Sequence, residues 1–171
     1  MAGLANSSDL RELQSPLKER YREDAGAALI TLEADGTLDE GISCSVRTGH
    51  ALVKAGLHPG TGGDGSLACS GDMLLQALAA CAGVTMRSVA TSIGLSVSGS
   101  VHAEGDLDWR GTLAVDKEAP VGFKAIRLRF DLDSDASDEE LETLQRLTER
   151  YCVVLQTLAG SPGLSVSLDR S

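Results

Sequence analysis

Apolar residues recur at two different periods along this chain, and the switches between them mark its elements. In residues 7–23, SSDLRELQSPLKERYRE, a Ser/Asp cap signal precedes Leu10, Leu13, Leu17 and Tyr21 at helical spacing. This predicts a helix that Pro16 should interrupt or kink. The stretches AALITLE (27–33), ISCSVR (42–47) and ALVK (51–54) read as strands, with Asp35-Gly36 and Gly49 as the turns between them. Together they predict an antiparallel meander. Residues 55–71 form a glycine-rich loop without GKS, GKT or a GxGxxG run, so it is not a phosphate-binding loop. The loop ends at Ser70, read as a helix N-cap. The run DMLLQALAACAGVTMRSVA (72–90) is apolar on nearly every face and predicts a helix buried all round. Ala77, Ala79, Ala80, Ala82 and Gly83 crowd its middle and let another helix approach closely.

The second half opens with LSVSGSVHA (95–103), an alternating strand, followed by turns around Gly105, Arg110-Gly111 and Pro120. AIRLRFDLD (125–133) places Ile126, Leu128, Phe130 and Leu132 on one face, the mark of a half-buried strand. Ser137-Asp-Glu-Glu140 is a capping box. The helix it opens carries Leu141, Leu144, Thr148, Tyr151, Leu155 and Leu158 at steps of three and four, and stops at Gly160 and Pro162. LSVSL (164–168) is read as a closing strand. The order is α+β in class. Residues 1–25 are read as an N-terminal helical extension and residues 26–171 as one domain.

Composition narrows the function classes. Of 171 residues, 42% are hydrophobic and only 3% aromatic, so aliphatic side chains must fill the core. With 25 acidic against 15 basic residues the net charge is -10, which disfavours nucleic acid and anionic membranes as partners. The stretch MAGLANSSDL lacks the basic-then-apolar layout of a secretory signal, and the longest apolar stretch (73–86) falls short of a bilayer span. A cytoplasmic protein is expected, without static structural disulfides.

Four cysteines, Cys44, Cys69, Cys81 and Cys152, lie far apart with no CxxC pair, and no metal-ligand spacing links them to His50, His58 or His102. No cofactor is implied. A buried cysteine is commonly an inert small hydrophobe, the reading that fits Cys44. Cys81 and Cys152 stand out because each falls in a predicted helix and the surrounding pattern is specific. Asp72-Met-Leu-Leu-Gln-Ala-Leu-Ala-Ala-Cys81-Ala-Gly-Val-Thr-Met86 resembles the acid–leucine–alanine–cysteine helix of the OsmC-like superfamily of osmotically inducible and organic-hydroperoxide-resistance proteins. Asp108-Trp-Arg-Gly111 and Ala119-Pro-Val-Gly-Phe123 are similar to its secondary signatures. Glu149-Arg-Tyr-Cys152-Val-Val is similar to its second cysteine motif, with Val153 where proline usually stands. The resemblance covers roughly residues 40 to 168.

The resemblance implies an intertwined homodimer in which antiparallel sheets wrap two central helices. It implies a thiol peroxidase in which Cys81 attacks an organic hydroperoxide and becomes a sulfenic acid. Cys152 would then condense with it to a disulfide that an external dithiol reduces. The family activates the first thiol with an arginine held by a glutamate. Asp72 falls at an acidic position of that motif, Arg47 and His58 are the candidates for the missing cation, and Cys69 is read first as an ordinary loop cysteine, with an alternative resolving role as the second option. An OsmC-like protein that binds a small apolar ligand at the dimer cleft, without turnover, is the alternative. A small hydrolase or transferase built on Cys81 and His58 ranks last, because no oriented third group completes a triad.

Overall fold

The computed structural model describes residues 7–24, 27, 29, 35–38, 43–48 and 51–170. The chain begins with α1 (Ser7–Glu23), which carries Pro16 inside one continuous helix. Three antiparallel strands follow, β1 (Asp35–Leu38), β2 (Ser43–Thr48) and β3 (Ala51–Gly56), in the order β1-β2-β3. The meander is therefore present, with a correction at its start. Asp35-Gly36, expected as a turn, opens β1 and pairs with Arg47 and Val46. Most of the strand expected over 27–33 lies outside the described residues.

The glycine-rich segment holds more order than its composition suggests. Pro59–Thr61 form a single 3-10 turn, and β4 (Ala68–Cys69) adds to β3 in parallel. The long helix α2 (Ser70–Ile93) follows directly. Its N-cap is Cys69 rather than Ser70, and it ends at Gly94, whose left-handed backbone (φ 81°) lets Leu95 N–H reach the Ala90 carbonyl at 2.9 Å. Next come β5 (Ser98–Asp106), the short α3 (Trp109–Thr112), β6 (Ala125–Asp133), α4 (Asp138–Tyr151) and α5 (Val153–Gly160). β5 and β6 pair antiparallel along their full length.

Gly105, expected at a turn, lies within β5 because a Cβ there would stand 2.6 Å from the Phe123 ring. Glycine makes room for an aromatic side chain that covers the strand. The two shorter signatures also meet: a Cβ on Gly111 would lie 2.5 Å from the Pro120 carbonyl and 2.6 Å from that of Ala119.

The core forms where α2 and α4 cross over the β5–β6 pair. Met86, Ala90, Val97 and Leu144 are buried together, flanked by Val89, Leu95, Phe130 and Leu141. The buried positions of α2 are Leu78, Ala82, Met86 and Ala90, a single stripe at steps of four. The expectation of burial all round is thus corrected for the single chain: Leu74, one turn ahead of the stripe, is 37% exposed, and Val84, on the opposite side, is 71% exposed. By length and composition α2 could cross a membrane, but its stripe packs on α4 and β5 instead. The closing strand expected over 164–168 does not form: no described residue pairs with it, and Leu164, Val166 and Leu168 stand open to solvent.

α4 begins at the expected capping box: Ser137 Oγ accepts from Glu140 N–H, and the Glu140 carboxylate accepts from Ser137 N–H at 2.8 Å. Leu144, fully buried one turn later, holds α4 onto α2. Leu144→Ala is expected to cost about 3 kcal/mol, because the surrounding helices cannot close the cavity. Thermal unfolding measures this directly, and a loss below about 1 kcal/mol would contradict the packing.

Candidate active site

The site grows out of a break in what the apolar period reads as one helix. Cys152 ends α4, donating its N–H to the Thr148 carbonyl at 2.9 Å, and begins α5, accepting from Gln156 N–H at 2.9 Å. Its own backbone is extended (φ -73°, ψ 105°), so α4 and α5 diverge there. Local chemistry favours the break. Val153 and Val154 are β-branched and weak helix formers. Thr148, buried, turns its hydroxyl back onto the Leu144 carbonyl at 2.8 Å, a contact that bends helices. The Gln156 side-chain amide then satisfies the Glu149 carbonyl freed at the end of α4.

The break brings Cys152 against Cys81, which projects from the middle of α2. Both thiols are free; Cys152 is fully buried and Cys81 partly exposed. Around the Cys81 sulfur stand the Val154 N–H, the Cys152 thiol, the Thr85 hydroxyl and the Val153 N–H as polar neighbours. Burial pushes the Cys81 thiol up, but these donors together outweigh it and hold its pKa below the ordinary thiol value. Cys152 moves the other way. Burial raises it, and the neighbouring Cys81 charge adds to that, against N–H groups of Leu155 and Val154. One sulfur is thus arranged to ionise while its neighbour keeps its proton.

The other described sequence candidates do not act on Cys81. Asp72 sits exposed in the first turn of α2. It is nine residues from Cys81, about 13 Å along the helix axis. His58 caps the 3-10 turn, its Nδ1 accepting from Gly60 N–H at 2.9 Å, and its ring stacks on Trp109 with centroids 5.0 Å apart. Arg47 lies in β2 opposite Asp35 and Leu52, and its side chain is outside the described residues, as is that of Cys44. Cys69 caps α2, and a Cβ on Gly71 would lie 3.6 Å from its sulfur. Among the described residues, no arginine or lysine acts on Cys81.

Sequence reasoning missed the groups that do surround Cys81. Thr85 had a usable signal, since it stands one turn further along the same helix face. The N–H groups of Val153 and Val154 did not, because a backbone donor becomes visible only once the helix break is known.

A family profile described as OsmC-like protein matches residues 63–167, well over half of the chain. This protein therefore belongs to the OsmC-like family. Solved structures agree on the fold. An OsmC-like protein from Mycoplasma pneumoniae superposes with a TM-score of 0.66 at 17% identity, covering 77% of this chain and 89% of that one. A hypothetical protein from Aquifex aeolicus gives 0.60 at 17% identity, covering 78% and 90%. An OsmC-like protein of unknown function from Vibrio cholerae gives 0.57 at 14%, covering 75% and 94%. No curated protein matches the sequence.

Proposed function

We propose that this protein is a cytoplasmic, homodimeric thiol peroxidase that reduces organic hydroperoxides through Cys81 and Cys152. The observation that carries the reading is the pair itself: two free, neighbouring sulfurs that bear on each other's ionisation, one favoured as thiolate and the other as thiol. The Cys81 thiolate attacks the terminal oxygen of the hydroperoxide. The S–O bond forms as the O–O bond breaks, sulfur loses two electrons, and the alkoxide leaves and takes up a proton. Cys152 then gives up its proton and attacks the Cys81 sulfenic acid, closing a disulfide and releasing water. An external dithiol returns both sulfurs to the reduced state.

Two surface features support an organic substrate and a dimer. Val84, one turn beyond Cys81, and Val153, beside Cys152, are 71% and 70% exposed, an apolar rim suited to an alkyl group. The uncovered face of α2 and the alternating Leu164, Val166 and Leu168 offer apolar surface for a second copy.

Rapid mixing of the reduced protein with an alkyl hydroperoxide tests the reading. Oxidation is expected to outrun that of free cysteine at neutral pH. The rate should rise with pH and level off at a midpoint below that of an ordinary thiol, because it follows the Cys81 thiolate and is lost as Cys81 protonates. A rate no faster than free cysteine overturns the proposal.

A second reading, binding of a small apolar ligand without turnover, is favoured by one observation. A groove of about 860 Å³ between β6, α4 and α5 is floored by Met86, Leu128, Phe130, Leu141 and Leu155. A ligand copurifying in native mass spectra, with both thiols insensitive to peroxide, selects this reading.

A further inference from the structure

The break at Cys152 leaves a carbonyl without its helical donor, and one side chain crosses the break to reach it. In a continuous helix the Glu149 carbonyl would accept from the N–H of Val153, four residues on. Here the ladder of α4 stops one bond earlier, with Cys152 N–H on the Thr148 carbonyl at 2.9 Å, and Val153 starts a new helix. The Glu149 carbonyl accepts instead from the Gln156 side-chain amide, at 2.8 Å.

Gln156 thereby holds the chain on both sides of Cys152. Its main-chain N–H donates to the Cys152 carbonyl at 2.9 Å, which fixes the first turn of α5. Its side chain ties that same turn to the last turn of α4. Glu149 is held in its turn, because the Gln145 amide donates to its carboxylate at 2.8 Å from one turn back on α4. Cys152 is the one non-helical residue between the two helices, and its own side chain makes no capping bond. Its two backbone angles set the direction of α5, and a bond that spans the residue restrains both.

Packing alone gives that direction a weak hold. α5 lies against α2, yet none of its eight residues is fully buried, whereas α4 buries Leu144 and Thr148. So short a helix has little stability of its own. A directional bond at its root therefore has more to decide than it would in a well-buried element.

We propose that Gln156 is a positioning residue for the Cys81–Cys152 pair: its side-chain amide, bonded to the Glu149 carbonyl across the helix break, sets the angle between α4 and α5 and with it the placement of the Cys152 sulfur toward Cys81. This rests on the peroxidase reading and adds the group that keeps the resolving thiol in reach. The step it serves is resolution. The Cys152 sulfur attacks the Cys81 sulfenic acid, the S–S bond forms as the S–O bond breaks, and the hydroxyl leaves with the thiol proton as water. Gln156 acts on this step through the backbone of Cys152.

Disulfide equilibrium in redox buffers reads the placement without any peroxide. The full-length protein is equilibrated with mixtures of reduced and oxidised dithiothreitol, and the fraction holding the Cys81–Cys152 disulfide is counted by intact and peptide mass. The midpoint gives the effective concentration of one thiol at the other, which depends on how the fold positions them. Gln156→Met keeps the side-chain length and helix propensity and removes the donor. Its effective concentration is expected to fall roughly three- to tenfold, as for one lost hydrogen bond. Gln145→Met makes the same change to the other glutamine on Glu149, whose bond stays within α4, and should match the wild type. A Gln156→Met midpoint equal to that of the wild type overturns the proposal, and so does an equal fall in Gln145→Met.

A measurement on the unsubstituted protein stands beside these, should Gln156→Met fail to fold. In the reduced protein the Gln156 side-chain amide protons should exchange with water several-fold more slowly than those of free glutamine. Exchange at the free rate overturns the proposal. A midpoint that responds to Gln156→Met in a protein that consumes no hydroperoxide sinks the peroxidase reading and leaves the positioning role standing. Turnover with an unmoved midpoint does the reverse, and a wild type that forms no Cys81–Cys152 disulfide in any buffer overturns both.

Discussion

Cys81→Ser is expected to abolish hydroperoxide consumption, with a loss of at least about a thousandfold in a dithiol-coupled assay. The donors that favour a thiolate cannot compensate. An alcohol ionises far above any pH the protein would meet, and four hydrogen bonds shift such an equilibrium by only a few powers of ten. Oxygen also cannot take the two-electron step that turns a thiolate into a sulfenic acid. The substitution should leave the fold intact. Serine is nearly isosteric, Cys81 is partly exposed, and the Thr85 hydroxyl and the Val153 and Val154 N–H groups retain an acceptor. The matching control is Cys69→Ser, which should consume peroxide like the wild type. A Cys81→Ser protein that kept more than about a tenth of the activity would move the chemistry to another sulfur.

The elements that could be read from the chain are those whose signals are local. The capping box at Ser137–Glu140 and the alternation of Ile126, Leu128, Phe130 and Leu132 depend on neighbours in sequence, and α4 and β6 begin where these signals place them. The family motifs around Cys81 and Cys152 were equally legible, because they are contiguous strings. What escaped was set by partners distant in sequence. Gly105 looked like a turn, yet it is a strand residue whose missing Cβ accommodates the Phe123 ring. The helix break at Cys152 was hidden because Leu155 and Leu158 prolong the apolar period of α4, and period alone cannot register a change of direction.

The break matters more to the site than the helices it separates. A continuous helix would consume the N–H groups of Val153 and Val154 in its own ladder and present only side chains to Cys81. Breaking the helix at one residue frees those donors and brings the second sulfur near the first. The sequence does carry a trace of this in Val153, which stands where the related motif has proline. From the sequence alone it reads as a departure from the motif; beside Cys81 it adds a donor.

Cys152→Ser is expected to be oxidised once and then stall. The serine hydroxyl can still donate to Cys81, so the first oxidation by an alkyl hydroperoxide should proceed at close to the wild-type rate. No disulfide can follow, and steady-state turnover at limiting dithiol should fall about a hundredfold. With excess peroxide the stranded sulfenic acid should advance to sulfinic acid, seen as two added oxygens in the intact mass, where the wild type loses two hydrogens to a disulfide. Cys152→Ala separates the two contributions of this residue. It removes both the resolving thiol and the donor, so its first oxidation should also slow several-fold at neutral pH, as expected for one lost hydrogen bond. Capture of the sulfenic acid needs no excursion to solvent, since Cys152 is fully buried yet neighbours Cys81. Wild-type disulfide formation should therefore be first order and independent of peroxide concentration. Turnover of Cys152→Ser at the wild-type rate would show that resolution comes from outside the pair.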